Sequence, residues 1–124
     1  MLTVILILLL FAALWLPLFR YLVPRLYLVM GDSMCPTLSE GDVVMGFKPR
    51  PDAPLKDSAI YGYRLPWDKN KWVIKRLMHQ VGDKCFFQGD NPGNSVDSRD
   101  YGLVDRTNVM FEAAWLIDLQ GKGV

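Results

Sequence analysis

The chain has 124 residues, which is enough for one compact domain and a membrane anchor but too few for two full domains. Its 14 Lys and Arg residues nearly balance 13 Asp and Glu residues, and the net charge of +1 argues against a nucleic-acid-binding protein. The two cysteines, Cys35 and Cys85, do not form a zinc-binding pattern, so no metal and no other cofactor is expected. Two half-buried free thiols are the preferred interpretation over a disulfide between them.

Residues 1–19 contain no charged side chain and are predicted to form a transmembrane helix. About twenty helical residues, each rising about 1.5 Å, cross a hydrocarbon core of about 30 Å. A cleaved secretory signal is disfavoured because no basic segment precedes the apolar run and no Ala-x-Ala cleavage site follows it. A buried core helix is disfavoured because the segment has no polar face. Residues 20–124 are then predicted to form the functional domain.

The remaining sequence predicts a mainly β domain. Strand-like patterns of β-branched and aromatic residues occur in five segments, at residues 42–47, 59–65, 71–79, 84–88 and 109–119. Residues 27–30 are a short apolar run that leads into the segment around Ser33, and residues 112–114 also fit a helical turn. Proline, glycine and polar residues predict a loop at 48–56, a turn at 66–71 and a loop at 90–100. Short strands with closely spaced turns are typical of a compact, folded-over, barrel-like β domain.

Three motifs follow the apolar segment in order. Residues 33–38 read SMCPTL, residues 73–77 read VIKRL, and residues 89–99 read GDNPGNSVDSR. Together they resemble the type I signal peptidases, membrane-bound Ser/Lys serine endopeptidases that remove N-terminal signal peptides from exported preproteins. The resemblance covers most of the chain after the anchor. It implies a mainly β catalytic core of the signal-peptidase type.

Ser33 and Lys75 are the predicted catalytic residues. A serine hydroxyl attacks poorly unless a base takes its proton, and a lysine can be that base if burial lowers its pKa. Strand alternation places Lys75 on one face with Val73 and Leu77, but Ile74 makes the opposite face apolar too, so the pattern does not decide which face is buried. The resemblance decides it, and implies that Ser33 is the nucleophile and Lys75 the general base.

The resemblance also implies a supporting group. Ser95 corresponds to the serine that hydrogen-bonds the catalytic lysine in the family. Asp97 and Arg99 are expected to form a pair that fixes the loop near the site. Arg76, directly after the lysine in the second motif, is placed with these supporting residues. Asp90 and Asn91 of the third motif are interpreted mainly as turn formers.

One oxyanion-hole donor is expected and a second remains open. The backbone N–H of Ser33 is the natural first donor. Some family members supply a serine hydroxyl two residues before the nucleophile, but this chain has Gly31 there. Its second donor is therefore not identified by the sequence.

The resemblance implies that the partners are signal-peptide-bearing preproteins and membrane lipid. Extended peptides with small residues before the cut would bind by strand addition beside Ser33. Met30, Met34 and the aromatic residues near Tyr63 are the predicted pocket walls.

The resemblance places the protein in the plasma (inner) membrane, as a single-pass protein with its domain on the extracytoplasmic side. Trp67 and Trp72 are expected near the lipid interface, where tryptophan is enriched, although Trp72 suits the core equally well. Arg20 and Arg25 follow the anchor, whereas only the α-amino group precedes it. The positive-inside rule therefore favours a cytoplasmic domain, in conflict with the resemblance; we follow the resemblance.

Other functions stay open. A short member of the same family could mature one dedicated precursor, such as a nickel superoxide dismutase. A membrane-anchored domain that binds peptides without catalysis is a second alternative. A Ser-His-Asp triad through His79, the sole histidine, is disfavoured.

Overall fold

The computed structural model of the chain describes residues 1–118, which form an N-terminal apolar helix and a mainly antiparallel seven-stranded sheet. Helix α1 (Leu2–Leu22) has no buried residue. It is long and apolar enough to cross a membrane, a property that a signal sequence at an N-terminus shares. It continues three residues beyond the predicted end at residue 19. Pro24 explains where it stops, because a proline disfavours helical backbone at the preceding residue, and Val23 is extended.

The strands, in chain order, are β1 (Arg25–Leu28), β2 (Val43–Phe47), β3 (Ile60–Leu65), β4 (Asp68–Val81), β5 (Lys84–Gln88), β6 (Val104–Asp105) and β7 (Val109–Ile117). Their order in the sheet is β1-β2-β7-β3-β4-β5-β6, and all neighbouring pairs are antiparallel. A short helix α2 (Ser98–Tyr101) lies between β5 and β6. The prediction of a mainly β domain behind an apolar helix is therefore confirmed.

Several predicted boundaries were wrong. The turn predicted at 66–71 is shorter, because β4 begins at Asp68, which pairs with Leu65. The loop predicted at 90–100 contains a 3₁₀ turn (Pro92–Asn94) and the start of α2. The first strand, Arg25–Leu28, includes only the first two residues of the apolar run noted at 27–30. The last predicted strand included residue 119, which lies outside the described residues.

Strand β4 lies between two apolar clusters. Leu77 belongs to one cluster, with Tyr61, Tyr63, Phe87 and neighbours. Ile74, only three residues away, belongs to the other. Because both faces of this strand are covered, the residue between them, Lys75, is held away from water.

The second cluster fastens the segment that follows β1 onto the sheet. Its buried members include Val29, Met34, Leu38 and Phe111. The Phe111 ring packs directly over Gly62, where a Cβ would lie 2.1 Å from a ring carbon, so only glycine allows this approach. The anchored residues Val29, Met34 and Leu38 fix the path of the chain around Ser33.

Candidate functional site

Ser33 lies on a tight turn between two buried apolar residues, Val29 and Met34. Gly31 has a positive φ of 77°, which glycine adopts without strain, and it starts the turn. The Cys35 N–H then donates to the Asp32 carbonyl at 3.0 Å. The main chain is thus held by packing and hydrogen bonds while the Ser33 side chain remains partly exposed.

Lys75 meets Ser33 from β4. Its Nζ donates a hydrogen bond to Ser33 Oγ at 2.6 Å, although the two residues are 42 positions apart in the chain. Lys75 is only 4% exposed. Burial lowers the pKa of the Lys75 amine because the charged form loses hydration, and this outweighs the attraction of the nearby Asp97 carboxylate. A buried amine of lowered pKa, bonded to a partly exposed hydroxyl, is an arrangement that can activate the hydroxyl as a nucleophile.

Asp97 forms the centre of the supporting group. Its carboxylate is fully buried and accepts two hydrogen bonds from the Arg99 guanidinium, from Nε at 2.9 Å and from the terminal nitrogen at 2.7 Å. It also accepts from the Gly89 N–H at 2.8 Å. Burial alone would raise the pKa of the Asp97 carboxyl, but the hydrogen bonds from Arg99, Gly89 and Ser95 together hold it well below its usual range. The geometry thus has the Asp97–Arg99 pair that was predicted.

Ser95 is placed differently from the prediction. Its hydroxyl was expected to bond the lysine, but it donates to Asp97 Oδ2 at 2.7 Å. No hydrogen bond between Ser95 and Lys75 is found among residues 1–118. The Lys75 amine donates to Ser33 instead of Ser95, and the Ser95 O–H donates to the ionised carboxylate two residues away, which is a strong acceptor. Ser95 therefore contacts the carboxylate whose charge acts on Lys75.

Arg76 holds the third motif against the serine turn through Asp90, which was interpreted from the sequence mainly as a turn former. Its guanidinium donates to both Asp90 oxygens, at 2.9 and 2.6 Å, and to the Ser58 carbonyl at 2.6 Å. Asp90 Oδ2 also accepts from the Thr37 hydroxyl at 2.6 Å. The hydrogen bond from Arg76 lowers the pKa of the Asp90 carboxyl. Asp90 thus links β4 to the serine turn.

The third motif also contacts the backbone next to the serine. The Asn91 N–H donates to the Ser33 carbonyl at 2.9 Å, and its side-chain amide donates to the Asp32 carbonyl at 3.1 Å. A Cβ on Gly89 would lie 2.6 Å from the Ser33 carbonyl oxygen, so only glycine permits this approach. These contacts were missed because Gly, Asp and Asn are ordinary turn residues and the sequence does not give their distance from the serine.

An open groove of about 400 Å³ borders the Ser33–Lys75 pair. Its lining is mostly apolar and includes Leu28, Met30, Leu65, Trp72, Val73 and Ile74. Met30 is a groove residue, in agreement with the prediction. The other predicted walls, Met34 and Tyr63, are buried in the core because their side chains point into the two apolar clusters.

The two tryptophans expected near lipid, Trp67 and Trp72, differ in their exposure and in their ring contacts. Trp67 is 63% exposed, with one edge-on contact to Tyr101. Trp72 lies edge-on against both Tyr27 and Phe111 while it lines the groove. Trp72 thus packs against two rings and is still 36% exposed, whereas most of Trp67 is at the surface.

The backbone N–H groups of Ser33 and Gly31 differ in their hydrogen bonding. Within residues 1–118, no protein acceptor is found for the Ser33 N–H, which leaves it available to an oxyanion, whereas the Gly31 N–H donates to Glu40 at 3.3 Å.

His79 stacks on Phe86 near the end of β4. Both cysteines are free thiols. The part of the chain that the structure describes has no group of three residues suited to a metal ion.

Comparison with protein-family models and with curated proteins finds no match for this chain.

Proposed function

We propose that the chain is a membrane-bound Ser/Lys endopeptidase of the signal-peptidase type, which removes N-terminal signal peptides from exported preproteins. The observation that carries the proposal is the 2.6 Å hydrogen bond between Lys75 Nζ and Ser33 Oγ, with the lysine 4% exposed. A buried lysine usually has an ionic partner. This one is bonded instead to a hydroxyl that borders an open groove, which is the arrangement that a serine nucleophile requires.

The proposed reaction uses only groups of the chain. Neutral Lys75 takes the Ser33 proton while Oγ attacks the carbonyl carbon of the scissile peptide bond. The Ser33 N–H donates to the oxyanion of the tetrahedral intermediate. The Lys75 ammonium then gives its proton to the departing amine, leaving an acyl-serine ester. In the second half, Lys75 takes a proton from water, the resulting hydroxide attacks the ester, and Ser33 regains its proton.

The groove is suited to an extended peptide with small apolar residues before the cut. Strand β1 is at one edge of the sheet order, so part of its backbone is open to strand addition. Leu28, Met30 and Ile74 line the groove beside Ser33 and would contact side chains of such a peptide. An apolar, shallow lining disfavours charged residues next to the cut because their desolvation would not be compensated.

The test is cleavage of a preprotein that carries an Ala-x-Ala site by the full chain in detergent. We expect Ser33→Ala to lower kcat by at least about 10³-fold, because the variant has no nucleophile. Ser39→Ala is the matched control: it lies in the same segment, but its hydroxyl contacts Cys35 Sγ at 3.6 Å and not Lys75. The control should cleave at the wild-type rate.

Two results would contradict the proposal. One is equal cleavage by wild type and Ser33→Ala. The other is a folded wild type that leaves the preprotein intact, in which case a dedicated precursor or a non-catalytic peptide-binding role becomes the next hypothesis. Mass measurement of the two products should place the cut directly after the Ala-x-Ala site.

We further propose that α1 anchors the protein in the plasma (inner) membrane with the β domain on the extracytoplasmic side, where signal peptides emerge. Cys35, which is partly exposed, should react with a membrane-impermeant maleimide in intact cells or spheroplasts. If Cys35 reacts only after the membrane is permeabilised, the domain is cytoplasmic and the positions of Arg20 and Arg25 were the better guide.

A further inference from the structure

A second groove, of about 320 Å³, lies where α1 meets the sheet. Four of its ten lining residues are cationic: Arg20 near the end of α1, Arg25 in β1, Lys48 after β2, and Arg64 in β3. None of the ten is acidic. The fold thus collects cations from distant parts of the chain at one place, although the chain as a whole has a net charge of only +1.

These four cations differ from most other basic residues of the domain. Arg50, Lys56, Lys71, Arg76, Lys84 and Arg99 each lie within 4.0 Å of a carboxylate. Within residues 1–118, no such ion pair is found for the four groove cations. All four are exposed. Arg20 also donates to the Tyr21 hydroxyl at 2.8 Å and lies over the Tyr21 ring, but neither contact neutralises its charge, so all four cations can attract an external anion. Three of them are arginines, whose planar guanidinium matches phosphate oxygens in a two-point geometry.

The position of the groove indicates where that anion would come from. Arg20 and Val23 lie at the C-terminal end of α1, a helix of 21 residues and about 31 Å, which matches the hydrocarbon thickness of a bilayer. A chain leaving the hydrocarbon at this point enters the headgroup layer. The groove also contains apolar residues, Val109 and Met110, that suit the glycerol and upper acyl region of a lipid.

We propose that this groove binds the phosphate of an anionic membrane lipid headgroup and thereby fixes the β domain against the bilayer surface. Tyr27 and Trp72, which pack edge-on, lie on the borders of the two grooves: Tyr27 lines the cationic groove and Trp72 lines the groove beside Ser33. The lipid site is therefore separate from the Ser33–Lys75 pair. The proposal depends on α1 lying in the membrane and not on the peptidase activity, so the two proposals can fail independently.

The test uses the full chain in phosphatidylcholine nanodiscs that contain a small fraction of photo-crosslinking lipid. One arm uses photo-crosslinking phosphatidylglycerol, which is anionic, and the other photo-crosslinking phosphatidylcholine, which has no net charge. The variant is Arg25→Gln/Lys48→Gln/Arg64→Gln. The matched control is Arg50→Gln/Lys69→Gln/Lys84→Gln, which also removes three exposed cations but none from the groove.

We expect wild type and control to crosslink phosphatidylglycerol several-fold more than phosphatidylcholine, with the adducts on peptides that line the groove. The groove variant should lose this preference, since each cation near an anionic lipid contributes about fivefold to binding. If the triple variant unfolds at a lower temperature than wild type, the single variant Arg64→Gln is compared with wild type instead. We expect that variant to lose part of the preference for phosphatidylglycerol.

Two results would overturn the proposal. One is an equal preference in the groove variant and the control, which would make the attraction a general property of surface charge. The other is crosslinking of phosphatidylglycerol and phosphatidylcholine to an equal extent in wild type, which would show that the groove does not select an anionic lipid headgroup.

Discussion

Replacing Lys75 by arginine is expected to lower the rate of preprotein cleavage by at least about 10³-fold while the domain remains folded. Arginine keeps the positive charge and the donor, but its guanidinium does not release a proton at any pH that the protein tolerates. Lys75→Met, which also removes the base, serves as a second variant because it fits a buried site without a charge. Lys69→Arg, on the exposed part of the same strand, is the matched control.

The pH dependence of cleavage by the wild-type protein tests the proposed role of Lys75 as general base. Burial lowers the pKa of Lys75 below 10.5, the value for an exposed lysine. The neutral amine, which is the proposed base, is therefore present at a lower pH than it would be at the surface. We expect kcat/KM to rise with pH through a midpoint below 10.5 and then level off. Wild-type activity in both Lys75→Arg and Lys75→Met would exclude Lys75 as the base.

Replacing Asp97 by alanine is expected to lower the free energy of unfolding by about 3 kcal/mol and to reduce cleavage strongly. The substitution leaves the Gly89 N–H and the Ser95 hydroxyl without their acceptor near the Ser33–Lys75 pair. The Arg99 side chain is 33% exposed, so water compensates part of that lost ion pair and the larger cost comes from the buried donors. Denaturant unfolding of both proteins measures the difference. Asp52→Ala, which removes a carboxylate from an exposed ion pair, should change stability by less than about 0.5 kcal/mol.

Acid is expected to lower the free energy of unfolding of the protein through Asp97. The pKa of Asp97 is lower in the folded chain than in the unfolded chain, where it is near 3.8. Its stabilising contribution is therefore complete above that pH and is lost progressively as the pH falls below it. We expect Asp97→Asn to show a smaller loss of stability than wild type between pH 4 and pH 2, about the range in which Asp97 of the unfolded chain takes up a proton while the native carboxylate stays ionised. Parallel acid titrations of the two proteins would contradict the central role given to Asp97.

The sequence predicted most of the sheet because most of the strands have local signals. β5 was predicted with its observed bounds, and β2 and β3 were each predicted one residue too long at the start. The predicted bounds were wrong where tertiary contacts, and not the local sequence, set the start or end of an element. The pairing of Asp68 with Leu65 starts β4 inside a predicted turn, and buried contacts of Asp97 and Ser98 form α2 within a predicted loop.

The candidate site was predicted in part. Ser33 and Lys75 were paired through the motifs, and the structure brings them within hydrogen-bond distance. The role of Asp90 was not foreseen, since its contacts with Arg76 and Thr37 join segments 14 and 53 residues apart in the chain. Ser95 was expected to bond the lysine, but its hydroxyl donates to Asp97, because the fold brings the Lys75 amine to Ser33 and the Asp97 carboxylate to Ser95.

An apolar segment of membrane-spanning length and a mainly β domain follow from composition and local periodicity, because both are local properties of the sequence. The choice of Ser33 and Lys75 as candidate nucleophile and base came from the resemblance of the motifs, since strand alternation left the orientation of Lys75 open. The coverage of β4 on both faces depends on the packing of the whole fold, and this burial is what lowers the pKa of Lys75. The fold likewise decided that Arg25, Lys48 and Arg64 share one groove at the end of α1, because their separation in space depends on strand order rather than on position in the chain.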